Sequence, residues 1–185
     1  MIYILRGFKN DRIVNFQQTI DILRDKEILD TEMALKDLAT VEKRISDLER
    51  KIKANDKEIK KELEILKQIQ TYLNKGKILS DEILTDDEKK VLKNYQLLTL
   101  KPRLYLLNGQ EDEIDKETID AFEKNQWPYL VIDVLTEFDG ANLSLEERRD
   151  LGISEELKIN NLIKKTYHLL NLITFFTTGE DETRA

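Results

Sequence analysis

The sequence predicts an α/β protein in which a parallel sheet carries a projecting, antiparallel coiled coil of two helices. Two observations indicate this fold. The apolar runs at 103–107 and 129–135 are nearly continuous, as is typical of parallel strands buried on both faces. Over residues 38–52, apolar residues recur at alternating steps of three and four, the spacing of a coiled-coil seam, and a second set at steps of three or four follows over residues 59–73. A chain of 185 residues is long enough for one such domain with a helical insertion.

The first elements are a short strand over residues 1–6, a polar loop, and a helix from about residue 28. The seam of this helix is formed by Leu38, Val41, Ile45, Leu48 and Ile52. Asp56 then interrupts the pattern and is placed to cap a second helix through its carboxylate.

The second helix has its own seam and ends at Gly76, which can adopt the left-handed conformation that closes many helices. Its seam residues are Ile59, Leu63, Leu66, Ile69 and Leu73. Because the break between the helices is short, we expect them to run antiparallel, each over roughly 30 Å. The turn that joins them is then the tip of a helical arm.

The sheet resumes after a short helix that begins at a capping box of Thr85 and Glu88. The strands at 103–107 and 129–135 flank a helix at about 115–125, which makes a strand–helix–strand unit. Ser144 and Ser154 are placed to cap two further helices, of which the last extends to about residue 173.

Composition excludes several kinds of protein and site. The chain has no Cys, which excludes a disulfide partner and thiolate metal sites, and nothing requires an oxidising compartment, so we expect a cytoplasmic protein. The apolar run at residues 1–5 is too short for a signal peptide, and no stretch approaches the roughly 20 apolar residues of a membrane span. We therefore expect no membrane partner. The single histidine, His168, has no second histidine or Cys beside it, so we expect no metal site.

Basic residues cluster at the predicted tip although the whole chain has a net charge of -7. The residues of this basic tip are Arg50, Lys51, Lys53, Lys57, Lys60 and Lys61. They outnumber Asp56 and Glu58 and give the segment 50–61 a net charge of +4. Such a cluster on an acidic protein indicates a phosphate-bearing partner such as RNA. The alternative is an ordinary solvated helix face.

Asn108, Gly109, Gln110 and Glu111 directly follow the strand at 103–107 and are the candidate nucleobase-binding residues. Open α/β sheets bind ligands at the carboxyl ends of their strands. In P-loop GTPases, an Asn-x-x-Asp at this place reads the base. Glu111 has one more methylene than Asp, which misplaces the contact that selects guanine and makes adenine at least as plausible. The alternative is that these are turn and helix-start residues.

Three segments, in this order and at these separations, resemble the YchF-type Obg-like ATPases, a branch of the translation-factor class of P-loop NTPases. The first is DTEMALKDLATVEKRISDLERK at 30–51, where that family's coiled-coil insertion begins. The others are LLTLKPRLYLLN at 97–108, which contains the base-recognition strand, and LLNLITFFTTGEDETRA at 169–185, which enters the family's TGS domain.

The resemblance implies a partial P-loop NTPase, or G, domain. Residues 1–28 would be a strand and loop of that domain, 29–97 the helical insertion, and 98–185 the part leading to a TGS domain outside the chain. It also implies binding and hydrolysis of ATP or GTP with Mg²⁺, and association with the ribosome.

The sequence contains no phosphate-binding loop. Its one Gly-Lys pair, Gly76-Lys77, is followed by Ile78 and has no suitably spaced glycine before it, and there is no Asp-x-x-Gly switch element. We therefore expect the loop to lie upstream of this chain. The chain alone should have no catalytic residues, hold no cofactor, and bind nucleotide at best at millimolar concentration.

Two departures from the family concern the base site. Gly109 stands where the family has an apolar residue, and Asp133-Val134-Leu135 stands where it has a run like Ser/Cys-Ala-Lys. Val134 and Leu135 would either fill the pocket or indicate a shifted alignment. The alternative function, from another class, is a helical module that binds RNA or protein without nucleotide chemistry.

Overall fold

The computed structural model describes residues 1–10, 19–52, 56–178 and 183–184. Its strands are β1 (Ile2–Arg6), β2 (Leu104–Asn108), β3 (Tyr129–Ile132), β4 (Thr177–Thr178) and β5 (Thr183–Arg184). Its α-helices are α1 (Ile22–Lys51), α2 (Lys57–Asn74), α3 (Asp86–Leu92), α4 (Lys116–Lys124), α5 (Val134–Ala141), α6 (Leu145–Asp150) and α7 (Ile159–Leu169). Among the described residues, none of the helices combines the length and the apolar character that a membrane span requires.

The chain divides into two compact units. One comprises Met1–Ile22 and Pro102–Ala185, and the other comprises Leu23–Lys101. This division does not test the predicted domain boundaries, which place the helical insertion at residues 29–97, so they stay a prediction.

The first unit contains a parallel sheet in the order β1-β2-β3, which confirms the predicted α/β class. The register pairs Arg6 with Asn108 and Asn108 with Ile132, so the carboxyl ends of all three strands meet at one edge. β2 is central, and Leu104 to Leu107 are all buried. Its Tyr105 packs edge-to-face against Phe122 of α4 with ring centroids 5.3 Å apart, which fixes α4 against the sheet.

The second unit is built on an antiparallel pair of helices. Arg44 and Glu49 of α1 form ion pairs with Glu62 and Lys67 of α2, and Glu42 accepts a hydrogen bond from Gln70. The predicted seam supplies half of the buried core residues of this unit, namely Val41, Ile45, Leu48, Leu66, Ile69 and Leu73. Leu38, Ile59 and Leu63 pack against them while partly exposed. Supercoiling of this hairpin stays a prediction.

Three predicted helix ends in this unit are correct. The carboxylate of Asp56 accepts a hydrogen bond from the Ile59 N–H at 3.1 Å, as an N-cap should. Thr85 and Glu88 form the reciprocal capping box that starts α3. Gly76 has a φ of +68°, a left-handed backbone conformation that residues other than glycine rarely adopt.

Four predicted boundaries are wrong. The first helix starts at Ile22, inside the segment expected to be a loop. The third strand ends at Ile132 and not at residue 135, because Asp133 caps α5. Ser154 caps no helix, since α7 starts five residues later, and α7 ends at Leu169 and not at residue 173.

Candidate functional site

Asn108 is fixed between both neighbouring strands at the carboxyl edge of the sheet. Its backbone carbonyl accepts a hydrogen bond from the Gly7 N–H at 2.8 Å, just past β1. Its side-chain Oδ1 accepts a second hydrogen bond from the Val134 N–H at 3.1 Å, in the first turn of α5. With Oδ1 used in this way, the Nδ2 group is the part of the amide that can donate to a ligand.

Gly109 has a structural reason to be glycine. Its N–H donates to the Ile132 carbonyl at 3.1 Å, which draws the chain toward β3. A Cβ at this position would lie 3.3 Å from the backbone atoms of both Gly7 and Phe8, closer than side chains normally approach backbone. The bare backbone therefore takes the place of the apolar residue that the family resemblance would put here.

Gln110 lies against α5. Its N–H donates to the Glu113 carboxylate at 2.9 Å, which closes the turn after β2. Its side chain hydrogen-bonds the carboxylate of Asp133. Burial raises the pKa of Asp133, but hydrogen bonds from Thr136, Leu135 and Gln110 outweigh that effect and hold the pKa below its usual value.

Glu111 forms an ion pair with Lys158, at 2.7 Å between Oε1 and Nζ. This ammonium group holds the pKa of Glu111 below its usual value, first through the hydrogen bond and second through its charge. The two side chains are exposed, Glu111 by 75% and Lys158 by 38%, so the pair lies at the surface.

Lys158 is itself held in place by Glu137 of α5. The Glu137 carboxylate accepts hydrogen bonds from the N–H groups of Lys158 and Ile159, both at 3.0 Å. A carboxylate at the start of a helix satisfies amides that have no partner within the helix and is stabilised by the helix dipole. Glu137 therefore caps α7, the role that was predicted for Ser154.

A cleft of about 780 Å³ opens beside this loop, between the turn after β2 and the segment from α5 to Lys158. Gly109, Gln110 and Glu111 line it, whereas Asn108, Val134 and Leu135 do not. Val134 and Leu135 are 40% and 68% exposed in the first turn of α5, so they do not fill the cleft. Three of the four predicted base-binding residues thus share this cleft, and Asn108 stands next to it on the sheet edge.

The cleft is acidic. Its charged lining residues are Glu111, Asp112, Asp133, Glu137, Asp139 and Lys158. Such a lining repels phosphate and suits a neutral ring with N–H donors. Within the described ranges, no group of three or more His, Asp or Glu side chains is arranged to hold a metal ion.

A second cleft, of about 520 Å³, lies in the helical unit. Arg44 donates to Glu62 and to the Tyr95 hydroxyl, and Tyr95 also hydrogen-bonds Glu62. Burial and the bond to Glu62 raise the pKa of Tyr95. Because these groups satisfy one another, the network ties α1 and α2 to the segment after α3.

The basic tip is only partly described. Lys51, Lys57, Lys60 and Lys61 are exposed at the ends of α1 and α2, and Lys53 lies outside the described residues. Lys61 pairs with Asp87 of α3 at 2.5 Å, so its charge is partly neutralised. Lys51, Lys57, Lys60 and Lys61 together give the tip several exposed basic side chains within the helical unit.

The chain is similar to known proteins over nearly its whole length. No family model matches the chain. The ribosome-binding ATPase YchF of Haemophilus ducreyi is 36% identical over 192 residues, and the one of Bacillus subtilis is 33% identical over 195. Both alignments cover 99% of this chain and 53% of the relative. The chain matches part of a YchF-type ATPase. The predicted resemblance is confirmed.

The fold agrees with that of the YchF-type proteins. The structure of a YchF GTPase from Schizosaccharomyces pombe superimposes with a TM-score of 0.78 at 27% identity. It is matched over 99% of this chain and 53% of its own length. The chain thus spans about half the length of the YchF relatives it matches.

Two interactions at this edge are not among the predictions from the sequence. Lys158 stands 47 residues after Glu111, and no local pattern connects them. Asp133 was detectable, because an Asp that ends an apolar run, with Thr136 three residues later, fits an N-cap as well as a strand.

Proposed function

We propose that the chain is part of an Obg-like protein that binds and hydrolyses ATP or GTP and associates with the ribosome. The observation that carries the proposal is the carboxyl edge of the parallel sheet, where the Asn108 amide is oriented by Val134 beside a cleft that suits a neutral ring. The names of the YchF relatives, which describe ribosome-binding ATPases, support it, as does the neighbour described as a GTPase.

The chain contributes the base end of the nucleotide site. Asn108 Nδ2 donates to the base, and the turn of Gly109, Gln110 and Glu111 forms its surroundings. The sequence has no Gly-x-x-x-x-Gly-Lys-Ser/Thr, so its residues do not fit the triphosphate and Mg²⁺ end. A phosphate cradle is the part that stabilises the charge of the transition state, and the sequence motif for one is missing. By itself, the chain should not hydrolyse nucleotide.

Titration of the isotopically labelled chain with ATP and GTP tests this proposal by NMR. We expect weak binding, in the millimolar range, with the largest amide shifts at residues 108–111 and at Val134. Asn108→Ala should abolish these shifts, whereas Asn161→Ala, at an exposed position of α7, should preserve them. Phosphate release should equal that of the buffer. A turnover that depends on Asn108 would show that the chain holds a complete active site.

A second candidate function is a module that binds RNA or protein through the helical hairpin with no nucleotide chemistry. The exposed lysines of the basic tip favour it. Ribosome co-sedimentation combined with the NMR titration separates the two functions. Ribosome binding with no nucleotide shift at residue 108 would support the binding module, and shifts at the sheet edge would support the nucleotide site. For either function, the ribosome-binding names of the relatives favour a cytoplasmic location.

A further inference from the structure

The pairing of Glu111 with Lys158 is set by an anchored backbone. The Lys158 N–H is held by the Glu137 carboxylate at the start of α7, at 3.0 Å. From that position, the Lys158 side chain reaches across the cleft to Oε1 of Glu111 at 2.7 Å. Both residues line the cleft that adjoins Asn108. The pair therefore stands where the base-reading acid of the proposed site would act.

We propose that Lys158 determines the purine preference of this site by holding the Glu111 carboxylate away from the base. This inference rests on the proposed function. Selective reading of guanine requires a carboxylate that accepts from the N1–H and the 2-amino group together. The Asn108 amide instead donates to N7, which adenine and guanine share. With Glu111 engaged by Lys158, the site recognises a purine but gains little from the 2-amino group of guanine.

The size of the effect follows from exposure. Glu111 is 75% and Lys158 38% exposed, so the pair is screened by solvent, and its loss should change relative affinities by no more than about fivefold. The helix start should survive the loss of the ammonium, because Glu137 binds the backbone of Lys158 and not its side chain. Lys158→Gln thus removes the restraint on Glu111 and leaves the cap of α7 in place.

The experiment compares AMP, GMP and IMP as probes in NMR titrations of the labelled chain, with shifts at residues 108–111 as the readout. IMP differs from GMP only by the absence of the 2-amino group. In Lys158→Gln, the affinity for GMP relative to AMP should rise by about threefold to fivefold, and the affinity for IMP should rise less. In Lys158→Gln combined with Glu111→Gln, the gain should disappear, because the acceptor is no longer a carboxylate.

Lys164→Gln is the matched control. It removes the same charge from within α7, the helix that Lys158 precedes, but Lys164 pairs with Glu156 at 3.7 Å and does not line the cleft. Its ratio of GMP to AMP affinity should equal that of the wild type. An unchanged ratio in Lys158→Gln, with nucleotides still bound at Asn108, would overturn the role of Lys158 and leave the proposed function intact. A parallel loss of all three nucleotides would also overturn it, by showing that Lys158 contacts the ligand. Absence of binding by the wild type would overturn both proposals.

Discussion

The carboxylate of Asp37, in the middle of the long helix α1, accepts two hydrogen bonds from Thr99, which lies 62 residues later in the chain. The Thr99 N–H donates at 2.7 Å and its hydroxyl at 2.6 Å, and both residues are buried. The other carboxylate oxygen accepts from the Leu98 N–H at 2.9 Å. A buried carboxylate thus holds the segment 98–100, which precedes β2, against α1.

Asp37→Ala should destabilise the protein by about 3 kcal/mol, because it removes charge-assisted hydrogen bonds and leaves buried donors without an acceptor. Asp37→Asn should lose less stability, since the amide keeps one oxygen that can accept a hydrogen bond. The partly exposed Asp47 of the same helix is the control, because its contact with Arg50 at 3.9 Å is at the surface, and Asp47→Ala should change the free energy of unfolding by no more than about 0.5 kcal/mol. Urea unfolding measures all three, and equal stability of Asp37→Ala and the wild type would refute a structural role for this carboxylate.

The helical hairpin should depend on its apolar seam. Leu48 and Leu66 are 2% and 0% exposed, so Leu48→Asp or Leu66→Asp places an unpaired charge in the core and should unfold the hairpin. Leu35→Asp is the control. Leu35 is 53% exposed on α1, so this substitution introduces the same poor helix former without placing its charge in the core. Far-ultraviolet circular dichroism should show a large loss of helix for the seam variants only. If Leu35→Asp loses as much helix, burial is not what stabilises the hairpin.

Asp133 should make the start of α5 sensitive to acid. Because its folded pKa lies below the usual value, its contribution to stability is present above the unfolded pKa of about 4 and is lost as the pH falls through the folded pKa. Asp133→Asn should remove this dependence below about pH 4, and Asp133→Ala should cost about 1 kcal/mol at neutral pH. The amide shift of Thr136, followed by NMR from pH 6 downward, measures the transition. Asp120→Asn, at an exposed position of α4, should leave that transition unchanged.

Elements that depend on neighbours in sequence were predictable. The caps at Asp56, Thr85 and Ser144 use residues within one helical turn, so the local pattern contains all the partners. The hairpin seam was predictable for a related reason, since burial of one helical face repeats along the sequence.

The errors arose where distant residues decide the structure. Ser154 was expected to cap a helix, but the carboxylate that caps α7 comes from Glu137, 21 residues before Lys158. Val134 and Leu135 continue an apolar run, yet they form an exposed first turn of α5 because Asp133 ends β3. The engagement of Glu111 by Lys158 likewise depends on how α5 and α7 pack, and a sequence pattern contains no trace of it.

The basic tip is the surface from which we expect ribosome binding. Lys51, Lys57 and Lys60 are exposed at adjacent ends of α1 and α2, while the chain as a whole has a net charge of -7. A locally basic surface can approach RNA phosphates that repel the rest of an acidic protein. Lys61 should contribute less to ribosome binding, because its Nζ lies 2.5 Å from a carboxylate oxygen of Asp87. The hydrogen bond and the charge of Lys61 lower the pKa of Asp87, so this carboxylate stays ionised and offsets the lysine charge.

Simultaneous reversal of Lys51, Lys57 and Lys60 to Glu should weaken co-sedimentation with ribosomes and flatten its dependence on salt. Phosphate contacts release counterions, so wild-type binding should fall steeply as salt rises, and fewer contacts give a smaller slope. Folding should survive, since exposed charges contribute little to stability, and circular dichroism checks this. The control reverses three exposed lysines of α4 and α7, Lys116, Lys124 and Lys164, and should keep the wild-type slope, because the total charge changes equally but the tip does not. Equal losses in the two triple variants would mean that overall charge, and not the tip, governs the contact.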